Sequence, residues 1–238
     1  MELFPTLSEL KGVWADLWRS RKGRLLLTFT MGLAFPVFAV QIHCLNIWEL
    51  REGAAITDKV MLFFKPFDFS LPIFFLIYAV VFGGVFHLAE DPQYLLKGFQ
   101  AYMLMMVLRC LSIYFLPLQP PPGMILLLDP LAAYFLSSNG NVVTKDLFFS
   151  GHTATIFIFY FAVKEPVLKR LIGIAGVLVP LMLVWQHVHY TADVMAAPMV
   201  SFFCIKTIEK FYDKIGYPFV WKKEVIPSEI PQVESVIG

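Results

Sequence analysis

Charge is scarce in this chain: only 16% of its 238 residues are Asp, Glu, Lys or Arg, against about 25% in soluble domains. The balance is near neutral, at +1, so no broad basic field exists to attract nucleic acid, and none is expected as a partner. Cysteine is also sparse. Cys44, Cys110 and Cys204 are odd in number and sit in apolar settings, which argues for small core residues over a disulfide framework or the paired ligands of a zinc site. No His/Cys/Asp cluster has metal-ligand spacing, and no nucleotide-type phosphate loop occurs. Neither metal nor cofactor is therefore expected. The first long apolar run starts only after Arg24, later than in a cleavable signal peptide, so the first span is expected to stay in the mature protein. Repeats, low-complexity tracts and linkers are missing too.

What the chain has in quantity is apolar length. Hydrophobic residues make up 58% of it, Phe alone numbers 24, and the mean hydropathy is +0.69. Runs of about 20 apolar residues match the helix length that crosses a bilayer core about 30 Å thick. The expected fold is all-α: a polytopic membrane protein with about six transmembrane helices. Spans are expected near Leu25–Leu45, Phe69–Leu88, Tyr94–Leu116, Phe148 to just before Lys164, Leu168–Val188 and Tyr190–Phe211. One membrane domain over 25–211 is flanked by a short segment, 1–24, and a tail, 212–238. Trp14 and Trp18 suit the first segment to an amphipathic interfacial helix. Prolines 117 and 120–122 stop the third span, and Met124–Leu136, too short to cross, fits an interfacial or re-entrant segment.

Lysine and arginine set an orientation. With a cytosolic N-terminus, the inside collects five in the N-segment, Lys97, three between spans four and five, and five in the tail. Outside remain Arg51, Lys59, Lys65 and Lys145, while Arg109 lies within a span. Fourteen against four places both termini in the cytosol. The two polar clusters at Ser150-Gly151-His152 and His187–Asp193 then meet at the non-cytosolic face, whether periplasmic, lumenal or exterior.

Ionisable groups in spans are costly and mark function or pairing. His189 and Asp193, four apart, are expected to share a helix face. A carboxylate on one imidazole nitrogen raises the basicity of the other, which suits a nucleophile or base. Mutual satisfaction at a turn is the alternative. Ser150 and Gly151 at a helix start offer backbone N–H groups to an anion, and His152 beside them suits a general acid; a plain N-cap with an interfacial histidine is the other reading. Together the clusters form a phosphoryl-transfer constellation that needs no metal. His189 would be the nucleophile, His152 the acid and base, and Asp193 the group that orients His189. Phosphate would bind at Ser150 and Gly151, with Arg109 and then Lys145 as cationic partners. His187, two residues from His189, reads as structural or as a weak helper.

Asp146-Leu147-Phe148-Phe149-Ser150-Gly151-His152-Thr153 and His189-Tyr190-Thr191-Ala192-Asp193-Val194 resemble two signatures of the sphingomyelin synthases, within the type 2 phosphatidic acid phosphatase (PAP2) superfamily. Arg109-Cys110-Leu111-Ser112-Ile113-Tyr114 is similar to that family's preceding segment. The phosphatases' Lys-x6-Arg-Pro motif is missing, Met182-Leu183 replaces Ser-Arg, and Phe149 replaces the Pro before Ser-Gly-His; these departures favour the synthase branch. The resemblance implies a PAP2-like helical bundle and a phosphotransferase with His152, His189 and Asp193 as its triad. By this resemblance the chain would move a phospho-head-group from a phospholipid donor to a lipid alcohol acceptor such as a ceramide or a diacylglycerol. A lipid phosphatase or phospholipase C-like hydrolase, with water as acceptor, is the alternative, and a non-catalytic transporter or lipid-binding scaffold is a third.

Overall fold

Residues 6–129 and 144–216 are described by a computed structural model. Among the described residues the α-helices, seven in number, run as α1 Leu7–Arg19, α2 Arg21–Trp48, α3 Ser70–Leu88, α4 Pro92–Phe115, α5 Gly151–Ala162, α6 Pro166–Trp185 and α7 Thr191–Ile215. Among the described residues there is no strand, only an isolated parallel bridge between Ala54 and Leu118. Helices are what a bilayer demands, because each pairs its own backbone N–H and C=O groups where water is absent.

Five helices, α2, α3, α4, α6 and α7, are long and apolar enough to cross a membrane. The sixth expected span is α5, only 12 residues, or about 18 Å at the α-helical rise. Its lead-in through Phe148 and Phe149 is not helical, and Pro166 opens α6 four residues after it ends. This short helix is nonetheless central, since α3, α4, α6 and α7 all pack on it. Helices in lipid gain little from burying apolar surface, so close approach and hydrogen bonds hold them together. Here Ala101, Ala154 and Ala197 are fully buried, and Ser201 Oγ on α7 lies 3.0 Å from the Ala154 carbonyl on α5. The outer faces carry large exposed apolar side chains, among them Phe35, Leu71, Phe75 and Met199.

The amphipathic helix expected before Arg24 is α1. Thr6 and Glu9 form its capping box, with Thr6 N donating to Glu9 Oε2 at 2.8 Å and Glu9 N donating to Thr6 Oγ1 at 3.3 Å. Its tryptophans behave differently: Trp14 Nε1 donates to the Ala89 carbonyl at 3.0 Å, whereas Trp18 stays exposed. The apolar stretch from Met124 is described only to Asp129, where it is not helical; its remainder and most of the tail lie outside the described residues.

One end of the bundle is tied together by its connections. The α2–α3 loop pairs with the proline-rich segment through Ala54 N to the Pro117 carbonyl, 2.9 Å, and Gln119 N to the Ala54 carbonyl, 3.0 Å. Gly53 makes this approach possible, because a Cβ there would come within 2.6 Å of the Leu118 backbone. Asp58 in the same loop accepts from Thr191 N at 2.6 Å, at the start of α7, and from Val60 N at 2.9 Å.

Burial works against the Asp58 carboxylate, but hydrogen bonds from Thr191, Val60 and Met61 outweigh it and hold its carboxyl below the ordinary carboxylate value. A group depressed in the folded state stabilises above its unfolded pKa and loses that contribution as pH falls through the folded one. Asp58→Asn should therefore lower the Tm of the detergent-solubilised protein at neutral pH. The gap to wild type should close as pH drops below 3.8; a gap that persists in acid would assign Asp58 a different role.

Candidate active site

The site lies where α3, α5 and α7 begin. A chain alternating in direction brings every second helix start to the same end, and the positive end of each helix dipole comes with it. A backbone hydrogen bond joins two of these starts directly, from Ser150 N to the Asp193 carbonyl at 3.1 Å. The third is fixed by Gln186, which is fully buried. Its Oε1 accepts from Phe69 N at 2.8 Å, and its Nε2 lies 3.1 Å from Ser70 Oγ.

His152 occupies the second position of α5, with its ring edge-on to Phe74 of α3 at 5.8 Å. The His189 ring stands 6.2 Å from it, centroid to centroid, at 61°. Both His189 and Asp193 are buried. His189 Nδ1 is 3.5 Å from Asp193 Oδ2, close enough for the carboxylate to face that ring nitrogen.

The basis for that pair differs from the sequence expectation. α6 ends at Trp185 and α7 begins at Thr191, so His189 lies in the turn and not on a helix. Helical i, i+4 spacing does not bring it to Asp193. Instead Asp193, in the first turn of α7, turns back to accept from Tyr190 N at 3.0 Å. That capping contact holds the carboxylate beside the turn that carries His189. His187, in the same turn, has φ 62° and sets its Nδ1 2.8 Å from the Pro122 carbonyl. It anchors the proline-rich segment, in line with the structural alternative.

Ser150 caps α5, its Oγ accepting from Thr153 N at 3.4 Å. Gly151 is required by close packing: a Cβ there would collide with Arg109 Nη1 and Cζ. Arg109, near the end of α4, is therefore at the mouth of α5, yet it is not a free cation. Its Nε donates to Asp146 Oδ1 at 2.8 Å and its Nη2 to Asp146 Oδ2. Nη1, which neither contact uses, is the nitrogen against Gly151. Lys145 departs further from its expected place at a phosphate. Its Nζ donates to the Arg51 carbonyl at 2.6 Å, and its backbone N donates to Glu49 at 2.9 Å, so it ties down the loop after α2.

Asp146 is the partner that sequence reasoning passed over. Its signal was present, because a lone arginine in a span calls for an acid and Asp146 is the only acid close before Ser150. Buried polar atoms without a hydrogen bond gather at this end, including His152 Nδ1, Thr153 Oγ1, His187 Nε2, His189 Nδ1 and Asp193 Oδ1. Unmet donors and acceptors on this scale are uncommon in a folded interior and mark a place that a polar ligand would satisfy.

Residues 145–211 match the family model described as PAP2 superfamily, C-terminal. That match supports the PAP2 superfamily. It takes in His152, His189 and Asp193 together with all of α5 and α6, while Arg109 lies outside it. PAP2 chemistry is lipid phosphatase or phosphotransferase chemistry, and a recessed pair of histidines within an apolar bundle accords with it. No curated protein matches the chain.

The Arg109–Asp146 pair yields a stability test. Removing one partner of a buried pair strands the other charge, at a cost of about 3–5 kcal/mol. Asp146 keeps a quarter of its side-chain exposure, so Asp146→Ala should fall near about 3 kcal/mol in denaturant unfolding. Adding Arg109→Met should recover part of that loss. Two losses that simply add would break the link between these residues.

Proposed function

We propose that the protein is a membrane-embedded lipid phosphotransferase of the sphingomyelin-synthase type. It would move a phospho-head-group from a phospholipid to a ceramide- or diacylglycerol-like alcohol, as a transferase of substituted phosphate groups. The observation that carries this reading is the His152–His189 ring pair at 6.2 Å, with a buried Asp193 carboxylate 3.5 Å behind His189.

In the first half-reaction His189 attacks phosphorus through the ring nitrogen that does not face Asp193. The bond from phosphorus to the diacylglycerol oxygen breaks, and protonated His152 gives its proton to that oxygen. A phosphohistidine carrying the head group remains, and Asp193 offsets the positive charge on the ring. In the second half-reaction the acceptor hydroxyl yields its proton to His152 while its oxygen attacks phosphorus. The P–N bond breaks, His189 returns to its neutral form, and one hard displacement has become two easier ones. Arg109 Nη1 and the unpaired N–H groups at the start of α5 would receive the phosphoryl oxygens. Because the superfamily match fits hydrolysis equally well, water as the second acceptor is the competing outcome.

Purified protein in lipid bilayers should exchange a labelled head group between a phospholipid and added ceramide or diacylglycerol with chelator present. His152→Ala should slow it by about 10² to 10⁴, the usual contribution of a general acid, and His189→Ala should abolish it together with any acid-labile phosphohistidine. Full activity in either variant overturns the mechanism. A soluble phospho-head-group or free phosphate with no labelled lipid product would make the enzyme a hydrolase.

The orientation is proposed with it: both termini in the cytosol and the site at the non-cytosolic face. In a background lacking the three native cysteines, Lys59→Cys should react with an impermeant maleimide added outside intact cells, and Lys164→Cys only after lysis. The reverse pattern inverts the topology.

A further inference from the structure

A cavity of about 270 Å³ lies between α3, α4 and α5, in the half of the bundle away from the histidines. Leu88, Leu95 and Ala162 line it near the α3–α4 turn, and Tyr102 and Thr155 line it toward the site. Its walls are almost wholly apolar, and its position between α3 and α4, both long enough to cross a membrane, and the shorter α5 puts it at hydrocarbon depth. The face of α5 that lines it continues into the site: Thr155 is one turn below Gly151, and its Oγ1 donates to the Gly151 carbonyl at 2.8 Å. On the facing helix, Tyr102 is two turns below Arg109. The cavity therefore lies in line beneath the point where Arg109 meets the start of α5.

Size and chemistry narrow the occupant. A dry cavity of about 150 Å³ accepts benzene, so 270 Å³ accommodates roughly ten carbons by the same proportion. A flexible hydrocarbon chain of that reach, entering from lipid and tethered to a phosphate held above, fits both the volume and the depth. Two residues set the available space. Gly98 faces it openly: a Cβ there would meet only Ala162 Cβ at 3.8 Å and Leu88 Cδ1 at 4.0 Å. Phe159 forms a wall and is pressed against the backbone of Gly84, which has no room for a Cβ.

We propose that this cavity takes one acyl chain of the phospholipid donor, and that Gly98 and Phe159 determine the chain length it accepts. The proposal rests on the phosphotransferase reading for its substrate. Gly98→Leu fills the space and should shift preference toward short chains, while Phe159→Ala enlarges it and should shift preference toward long ones.

The test compares kcat/KM for donors bearing hexadecanoyl or octanoyl chains in wild type and both variants, with the acceptor held constant. Gly98→Leu should lower the long-to-short ratio about tenfold, the effect of burying about two fewer methylenes, and Phe159→Ala should raise it. A variant that is merely less stable lowers both rates together and leaves the ratio unchanged, so an unchanged ratio in both overturns the proposal. A ratio that follows the acceptor's chain in place of the donor's overturns the assignment to the donor. Independently of turnover, a phosphatidylcholine and a phosphatidylethanolamine with a terminal diazirine on one chain should label the α4 segment around Leu95 and Phe99. Labelling there without turnover on any lipid supports the cavity and overturns only the catalytic reading. Turnover with labelling elsewhere overturns the cavity alone.

Discussion

A single backbone hydrogen bond, from Ser150 N to the Asp193 carbonyl at 3.1 Å, joins the two motifs on which everything at this end of the molecule depends. It is possible only because lipid leaves a chain little freedom elsewhere. Inside a bilayer each peptide group must be paired within its own helix, and the unpaired N–H groups that can serve chemistry are left at helix starts. α5 and α7 place their starts side by side, and the side chains of the candidate site follow from that. His152 comes with one start, Asp193 with the other, and His189 with the turn that leads into it.

The shortness of α5 has a related consequence. A helix of 12 residues surrounded by longer ones recesses its N-terminus among its neighbours. His152 thereby stands within reach of Phe74 and His189, and His189 and Asp193 are buried. A drier site strengthens each fixed charge and dipole within it. The same surroundings explain Arg109. An unpaired guanidinium at 4% exposure would be very costly, and Asp146 neutralises it while leaving Nη1 against Gly151. Cation and acid together hold the segment before α5 against the end of α4, where Ser112 Oγ also lies 2.6 Å from the Phe148 carbonyl.

Much of this was legible in the residues before any fold was known. The alternation of apolar runs with charged breaks located five crossing helices to within a few residues and identified α5 as apolar. Proline and acidic residues marked the breaks at 90–92, 117 and 164–166, where they cluster at helix ends, although Pro36, Pro180 and Pro198 lie inside helices. His152 and His189 were legible as a pair, since each belongs to a compact polar cluster in an otherwise apolar chain. Less visible was how Asp193 reaches His189. Sequence spacing favours a helical i, i+4 contact, but the chain turns at 186–190 and a capping bond does the work, a choice made by packing against Gln186 and the 118–129 segment. Arg109 and Lys145 looked alike as cations near one membrane face. Only the fold separates them, sending one to Asp146 beside Gly151 and the other to the carbonyl of Arg51.

The residues alone therefore specify a bundle of membrane helices and two histidine-bearing polar clusters. These properties depend on composition and on spacing along one strand of chain, where hydrophobic length and helix breaking act locally. Packing in three dimensions settles which polar groups neutralise one another, places the short α5 at the centre, and leaves an apolar cavity beneath His152. Those outcomes arise from side chains separated by dozens of residues meeting across helix interfaces, and no local rule specifies such meetings.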